Sequence, residues 1–390
     1  MYKHKMKRMK IAQVITRMDW GGSPDMVRLT CEKLLAMGQE VILITGPTKN
    51  QTQKTNEFIN SFNAKVVVIR QLQRDVNLFN DLITFIKLYL IFREENFDVV
   101  HTHTAKAGAL GRLAAYFAGV KVIVHTPHGH NFYGYFNRLY SKLIIFIEKF
   151  LTFFTTRIIA LTELERSDYI KFKVAAKDKI NLIYLGLELE PFLQQNFNRP
   201  QIKNSLGVTA GELTAAMVGR LETVKGPGFF VEAAKLVIKD FTQAKFFLVG
   251  EGSLRAKLEK RVEESGLKDS IIFTGWRNNV PEIISVLDVL VLPSLNEAVG
   301  IVLIEAQASG IPVVAADVGG TAEVVKDGIS GLLVPAADPG SMAIAISSLF
   351  KDPVKRKEMG EAGRVWVKDR FSAQKMTEKI FNLYSELYAG

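Results

Sequence analysis

The stretch VLVLPSLNEAVGIVLIEAQASGIPVVAADVGG, residues 289–320, opens on four apolar residues and ends beyond a second β-branched run at 312–316. Neither run alternates with polar residues, which marks strands buried on both faces. Between them lie a polar loop and the small, apolar segment GIVLIEAQA, long enough for a helix. Strand, helix and strand in this order form a crossover unit with parallel strands.

Outward from this unit the same alternation recurs. In that half of the chain, 214–218, 245–249, 270–273 and 332–334 also read as strands. A separate series occupies the first half, at 11–15, 41–45, 66–69, 99–102, 122–126 and 157–161, with helical segments such as 24–37 and 76–95 between them. The polar, turn-rich segment 188–206 divides the two series. The fold class expected is α/β: two Rossmann-like, doubly wound parallel-sheet domains, 1–190 and 191–390, facing a cleft. The last helical segment, 373–388, has no strand after it and is expected to pack back on the first domain.

Composition narrows the function classes. At 48% hydrophobic and 23% charged residues, the 390-residue chain is neither disordered nor fibrous. A single cysteine, Cys31, excludes an internal disulfide framework and a cysteine-only metal site. Spanning a membrane takes about 20 apolar residues, and the best run, 139–154, is broken by Lys142, Glu148 and Lys149. The basic start turns polar again at Thr16 and Arg17, too soon for a signal-peptide core of about 7–15 residues. A cytoplasmic location is expected, with Met6 and Met9 as alternative starts. The net charge of +10 resides in the first half: residues 1–200 hold 28 Lys and Arg against 17 Asp and Glu, and residues 201–390 hold 22 against 23. Such asymmetry points to a polyanionic partner for that half, an anionic membrane surface or nucleic acid.

Ligands of open parallel sheets bind beyond the carboxyl ends of the strands, so residues just after strands are the candidates. Glu297 lies in the loop after 289–292, and Glu305 is expected about two turns into the helix that follows. Gly300 lets a ligand approach the helix start, where free N–H groups and the helix dipole favour a phosphate. Glu305 is placed to accept from ribose hydroxyls and Glu297 from sugar hydroxyls; helix capping and a solvated face are the plain alternatives. Arg220 and Lys225 follow the strand 214–218 and supply the two cation types that neutralise a diphosphate. Gly250 and Gly252 in LVGEGSLR fit close backbone approach to a nucleotide, although the segment lacks the third glycine of a dinucleotide fingerprint. Gly21 and Gly22 follow the first strand and permit similar approach.

The first half is rich in histidine. We read His101 and His103 as pointing to opposite faces of their strand, and hence as a poor chelating pair. His125, His128 and His130 crowd the end of the strand 122–126, with His128 before Gly129 as the polar group for sugar or acceptor. Residues 131–154 contain nine aromatics. Leu139, Leu143, Phe146, Ile147, Phe150, Leu151 and Phe154 recur at helical spacing, away from Arg138, Lys142 and Lys149. A membrane-surface helix would show this pattern; the expectation is instead that the stripe packs into the first domain, with the cations outward.

Taken in order, these motifs resemble the retaining family 4 glycosyltransferases, which have the GT-B fold, and those of the first half are similar to the bacterial exopolysaccharide and capsule members. The match covers nearly the whole chain: Glu297 to Glu305 as E-x7-E, the flanking pattern through Gly319, Gly320 and Glu323, GRL…KG at 219–226, GEG at 250–252, GG after the first strand, HTH.AKAG.LGR.AA from His101, and His128-Gly129. The resemblance implies that Arg220 and Lys225 bind the donor diphosphate, Glu305 the ribose and Glu297 the transferred sugar. Gly22 would lie near the phosphates and His128 near the sugar and acceptor. It implies hexosyl or N-acetylhexosaminyl transfer without metal or cofactor, from a nucleotide-sugar, UDP in preference to GDP, to a lipid-linked saccharide. It also implies a place in capsule, exopolysaccharide or lipopolysaccharide synthesis, peripheral attachment to the inner face of the cell membrane, and no nucleic-acid partner. Departures from the family pattern are Ser23-Pro24-Asp25 after the glycines, Ala298-Val299 after Glu297, and Gly226-Pro227-Gly228, a loop expected to stiffen and then loosen. Two other readings stand beside this one. A sugar-nucleotide epimerase would need extra acid–base groups, for which His125 and His130 are the spare candidates. A nucleic-acid-binding scaffold is opposed by the intact Arg220, Lys225, Glu297 and Glu305 set.

Overall fold

The computed structural model describes residues 8–19, 22–48, 62, 65–129, 132, 137–194 and 196–390. The chain divides into two compact units, Met1–Leu187 with Ala373–Gly390, and Glu188–Ser372. Among the described residues no helix is long and apolar enough to cross a membrane.

The first unit runs β1 (Lys10–Ile15), α1 (Gly22–Ala36), β2 (Glu40–Thr45), β3 (Lys65–Val68), α2 (Leu78–Glu95), β4 (Val99–His103), α3 (Ala105–Phe117), β5 (Val122–Thr126), α4 (Arg138–Thr152), β6 (Arg157–Ala160), α5 (Glu163–Lys171) and β7 (Ile180–Leu182). Its strands pair in parallel in the order β3-β2-β1-β4-β5-β6-β7. Polar side chains set helix starts: Asn77, Asn137 and Thr162 accept from backbone N–H groups in the first turns of α2, α4 and α5. Right-handed crossovers put α2, α3 and α4 on one face of this sheet and α1 on the other. The three-residue edge strand β7 was not foreseen; INL is too short to show any period.

The second unit runs α6 (Glu190–Leu193), α7 (Arg199–Ser205), β8 (Thr214–Val218), α8 (Pro227–Ile238), β9 (Lys245–Val249), α9 (Arg255–Glu264), β10 (Ile271–Gly275), α10 (Val280–Ser285), β11 (Val289–Leu292), α11 (Ile301–Ala308), β12 (Val313–Ala316), α12 (Thr321–Val324), β13 (Gly331–Val334), α13 (Pro339–Lys351) and α14 (Pro353–Arg370). Its parallel order is β10-β9-β8-β11-β12-β13. Phe230, Phe246 and Phe350 meet in a core of otherwise aliphatic side chains. Both sheets are doubly wound, as the strand pattern predicts. The order reverses between β1 and β4 in the first unit and between β8 and β11 in the second, and such switch points are where open sheets bind ligands. The final helix, α15 (Ala373–Ala389), belongs to the first unit and packs on α1.

One helix overturns its expected orientation. Leu139, Leu143, Phe146, Ile147 and Phe150 of α4 are exposed, Leu139 at 77% and Phe146 at 68%. Ser141, Glu148 and Thr152 are buried instead, and of the expected stripe Leu151 is buried and Phe154 half-buried. The physical reason is Arg112 on α3, fully buried, whose guanidinium donates to both Glu148 carboxylate oxygens at 3.0 Å and to the Gly108 carbonyl at 2.8 Å. Burying that cation requires a carboxylate partner, so α4 turns Glu148 inward and Leu139, Leu143, Phe146, Ile147 and Phe150 outward.

Candidate functional site in the second unit and a histidine network in the first

At the switch point of the second unit, the loops after β8 and β11 are held together by backbone. Leu295 N–H donates to the Val224 carbonyl at 2.8 Å. Gly226, at φ 65°, passes so close to Pro293 that a Cβ there would lie 2.1 Å from its carbonyl oxygen. Gly226 starts α8 with Pro227 at its first position, where proline's missing N–H costs nothing. Gly228 is thus helical, and the loop does not loosen as expected. This stitching brings Lys225 Nζ onto Glu297 Oε2, and Ser294 Oγ donates to the same oxygen at 3.3 Å. The Lys225 and Glu297 side chains are 23% and 13% exposed, open enough for a ligand to reach. A third loop joins them: Gly320 N–H donates to the Glu297 carbonyl at 3.0 Å.

Arg220 is exposed, and among the described residues its guanidinium makes no hydrogen bond or ion pair. It remains available to an anion, beside Glu222, whose carboxylate is taken by Ser253 N–H at 2.9 Å and Ser253 Oγ at 2.6 Å. Gly300, at φ 81°, is the left-handed residue ahead of α11. Because the helix starts at Ile301, Glu305 sits little more than one turn in, not two, and is half-buried. Gly250 and Gly252 have a different reason for lacking side chains. A Cβ on Gly250 would lie 2.1 Å from the Gly219 carbonyl oxygen, and one on Gly252 2.5 Å from that of Leu221. Their space is taken by the loop after β8, so they fix the backbone that carries Arg220.

In the first unit, Gly22 opens α1, directly after the switch-point strand β1; Gly21 and His130 lie outside the described residues. His101 and His103 do not point to opposite faces. Residues two apart in a strand share a face, and the two rings lie 4.1 Å apart. Their nitrogens are occupied: His101 binds the Tyr384 hydroxyl and Thr126 Oγ1, and His103 binds Gln13 Oε1 at 2.7 Å and His128 Nε2 at 2.9 Å. Burial and nearby rings hold His101 at about 3 and His103 well below the ordinary imidazole range; burial takes His128 to about 3. His125 is packed under α3, against Gly108, and bonds to Thr102. It is fully enclosed, which removes it as the acid–base group an epimerase would need.

His103, Gln13 and Tyr384 were missed as site residues. HTH signalled the first; nothing local signals Gln13 in an apolar strand, or a tyrosine 371 residues further on that bonds to it.

Comparison with known proteins agrees with this geometry. Residues 20–191 match the model described as Glycosyltransferase Family 4, and residues 198–366 match that described as Glycosyl transferases group 1. The UDP-Gal:alpha-D-GlcNAc-diphosphoundecaprenol alpha-1,3-galactosyltransferase of Escherichia coli is 33% identical over 320 residues, 81% of this chain and 82% of that protein. The capsular polysaccharide biosynthesis glycosyltransferase CapM of Staphylococcus aureus is 26% identical over 393 residues, 97% of this chain and 98% of its own. Among solved structures, Anabaena HepE in complex with UDP superposes with a TM-score of 0.83 at 20% identity, over 97% of this chain and 100% of that one. The fold is that of the GT-B glycosyltransferases, and the chain belongs to glycosyltransferase family 4.

Proposed function

We propose that the protein is a retaining, metal-independent glycosyltransferase that moves a hexosyl or N-acetylhexosaminyl group from a UDP-sugar to a polyprenyl-diphosphate-linked saccharide, in the synthesis of a surface polysaccharide. The observation that carries this reading is the Lys225–Glu297 pair across the second unit's switch point, with Arg220 exposed on the adjoining loop. Two cations meet the diphosphate, and the carboxylate meets hydroxyls of the sugar. The name of the Escherichia coli relative joins a UDP-sugar donor to a lipid-diphosphate acceptor, and the HepE structure was solved with UDP.

In the reaction the acceptor hydroxyl oxygen bonds to the anomeric carbon on the face from which UDP departs. The bond from that carbon to the β-phosphate oxygen breaks, and the hydroxyl proton passes to the departing phosphate. Negative charge grows on the diphosphate, and fixed cations aimed at it lower the barrier. Lys225 serves that role, and Arg220 with its planar fork holds the second phosphate. Glu297 orients the sugar, Glu305 accepts from the ribose, and His128 engages the sugar or acceptor.

A lipid-linked acceptor requires the enzyme to work at a membrane face, here the cytoplasmic one. The inverted helix α4 suits this. Its exposed stripe is accompanied by Arg138, Lys142 and Lys149, and its one acidic residue, Glu148, is turned inward and paired. On the same face of the sheet, Leu78, Leu82, Ile86 and Leu90 of α2 are exposed at one-turn intervals. Apolar insertion adds to attraction of about 1 kcal/mol per cation near an anionic surface.

The test is transfer with EDTA present, from a panel of UDP-sugars to a polyprenyl-diphosphate saccharide carried in anionic or neutral vesicles. The expected result is a product that keeps the donor's anomeric configuration, formed faster on anionic vesicles and less so at high salt. Inversion would remove the retaining mechanism, a need for divalent cation the metal independence, and equal rates on both vesicles at all salt concentrations the electrostatic docking.

A further inference from the structure

The buried polar network at the first unit's switch point has a direction. Gln13 on β1 donates its side-chain N–H to the Tyr384 hydroxyl of α15 at 3.2 Å, which leaves its carbonyl oxygen facing His103 at 2.7 Å. A carbonyl accepts and never donates, so His103 carries its proton on Nε2. A neutral imidazole has one donor and one acceptor, and His103 Nδ1 is therefore the acceptor. Its partner at 2.9 Å is His128 Nε2, which must donate. The remaining nitrogen of His128, Nδ1, then bears a lone pair, and among the described residues it makes no hydrogen bond.

We propose that Gln13 and His103 are positioning residues which fix His128 as its Nε2–H tautomer, so that His128 Nδ1 accepts a hydrogen bond from a hydroxyl of the sugar or saccharide acceptor. No proton is transferred in this contact; the hydroxyl donates and His128 accepts. The contact with the hydroxyl rests on the proposed function, whereas the tautomer does not.

Three features support a built device. His128 is held at φ 60° ahead of Gly129 at φ 92°, a left-handed pair of residues that sets the direction of the His128 side chain and is uncommon outside glycine. The loop is fixed from its other side by buried Glu165, whose carboxylate accepts Gly129 N–H at 3.0 Å and Leu161 N–H at 2.8 Å. Gln13 and His103 are themselves fully buried, on strands that pair through Gln13 and His101. With the Gln13 amide nitrogen toward Tyr384, each donor from Gln13 to His128 meets an acceptor, as a buried polar network requires.

The experiment is a long-range proton–nitrogen spectrum of the full-length protein labelled with 15N-histidine, with the His128 signals assigned from His128→Asn. The expected result is an Nε2–H ring for His128 in the native protein and mixed tautomers in His103→Leu. An Nδ1–H ring in the native protein, or an unchanged tautomer in His103→Leu, would overturn the relay. The reading needs no turnover, so it stands or falls separately from the transferase reaction. In the transfer assay, His103→Leu is expected to lower kcat/KM about tenfold or more with UDP affinity kept. His103→Asn retains an acceptor in place of Nδ1 and should regain most of that loss. Equal loss in both variants, accompanied by lower melting temperatures, would mean a structural role and reject positioning.

Discussion

Lys225→Ala is expected to lower kcat/KM for sugar transfer by about 10²–10³-fold, the usual range for deleting one group that stabilises developing charge. The side chain does two things in this structure. Its ammonium sits on Glu297 before substrate arrives, and it lies on the loop after β8, where the donor diphosphate is proposed to bind. Without it, the leaving diphosphate loses a fixed cation, and Glu297 keeps the Ser294 hydroxyl as a side-chain donor. The pair is partly open to water, so the fold should lose little, on the order of 1 kcal/mol. Loss of rate with a nearly native melting curve therefore separates catalysis from folding. Lys225→Arg should recover part of the rate, because it restores charge but not the compact ammonium. Transfer by Lys225→Ala within threefold of the native rate would remove Lys225 from the mechanism.

The second large effect is on stability. Arg112→Ala is expected to cost about 3–5 kcal/mol, read as a lower denaturant midpoint in the transition of the first unit by circular dichroism. Arg112 is 0% exposed, and its truncation strands the Glu148 carboxylate inside the protein. It also leaves the Gly108 carbonyl without its side-chain donor. The double variant Arg112→Met with Glu148→Leu removes both charges and should recover most of the loss, since apolar replacements of buried ion pairs are often neutral or better. A cost under 1 kcal/mol for Arg112→Ala would mean the pair does not orient α4.

Why the fold could be read so far in advance is visible in particular segments. VLVL and VVAA are buried throughout and TAAMV in all but its last residue, and short runs of this kind, with helical segments between them, suit a parallel sheet between helix layers. The inverted α4 could not be read locally. Its apolar stripe implies an inward face by period, and the reversal depends on Arg112, 36 residues earlier, needing Glu148. The site shows the same division. Lys225 and Glu297 follow their strands and so announced themselves, while the reason for Gly250 and Gly252 became clear from the neighbouring carbonyls of Gly219 and Leu221. Gln13 and Tyr384 gave no sign, because a hydrogen bond between a strand and a helix at the far end of the chain leaves no local pattern.

The central claim is that the second unit holds a UDP-sugar without metal, and its most direct measurement is thermal unfolding against UDP, GDP, ADP, dTDP and their sugars in EDTA. Binding to the folded state raises stability by about 2.7 kcal/mol when ligand is a hundredfold above Kd. The account predicts a clear rise with UDP and at least one UDP-sugar, largely lost in Lys225→Ala. A native protein that no uridine nucleotide stabilises, or that is stabilised equally in Lys225→Ala, would contradict it.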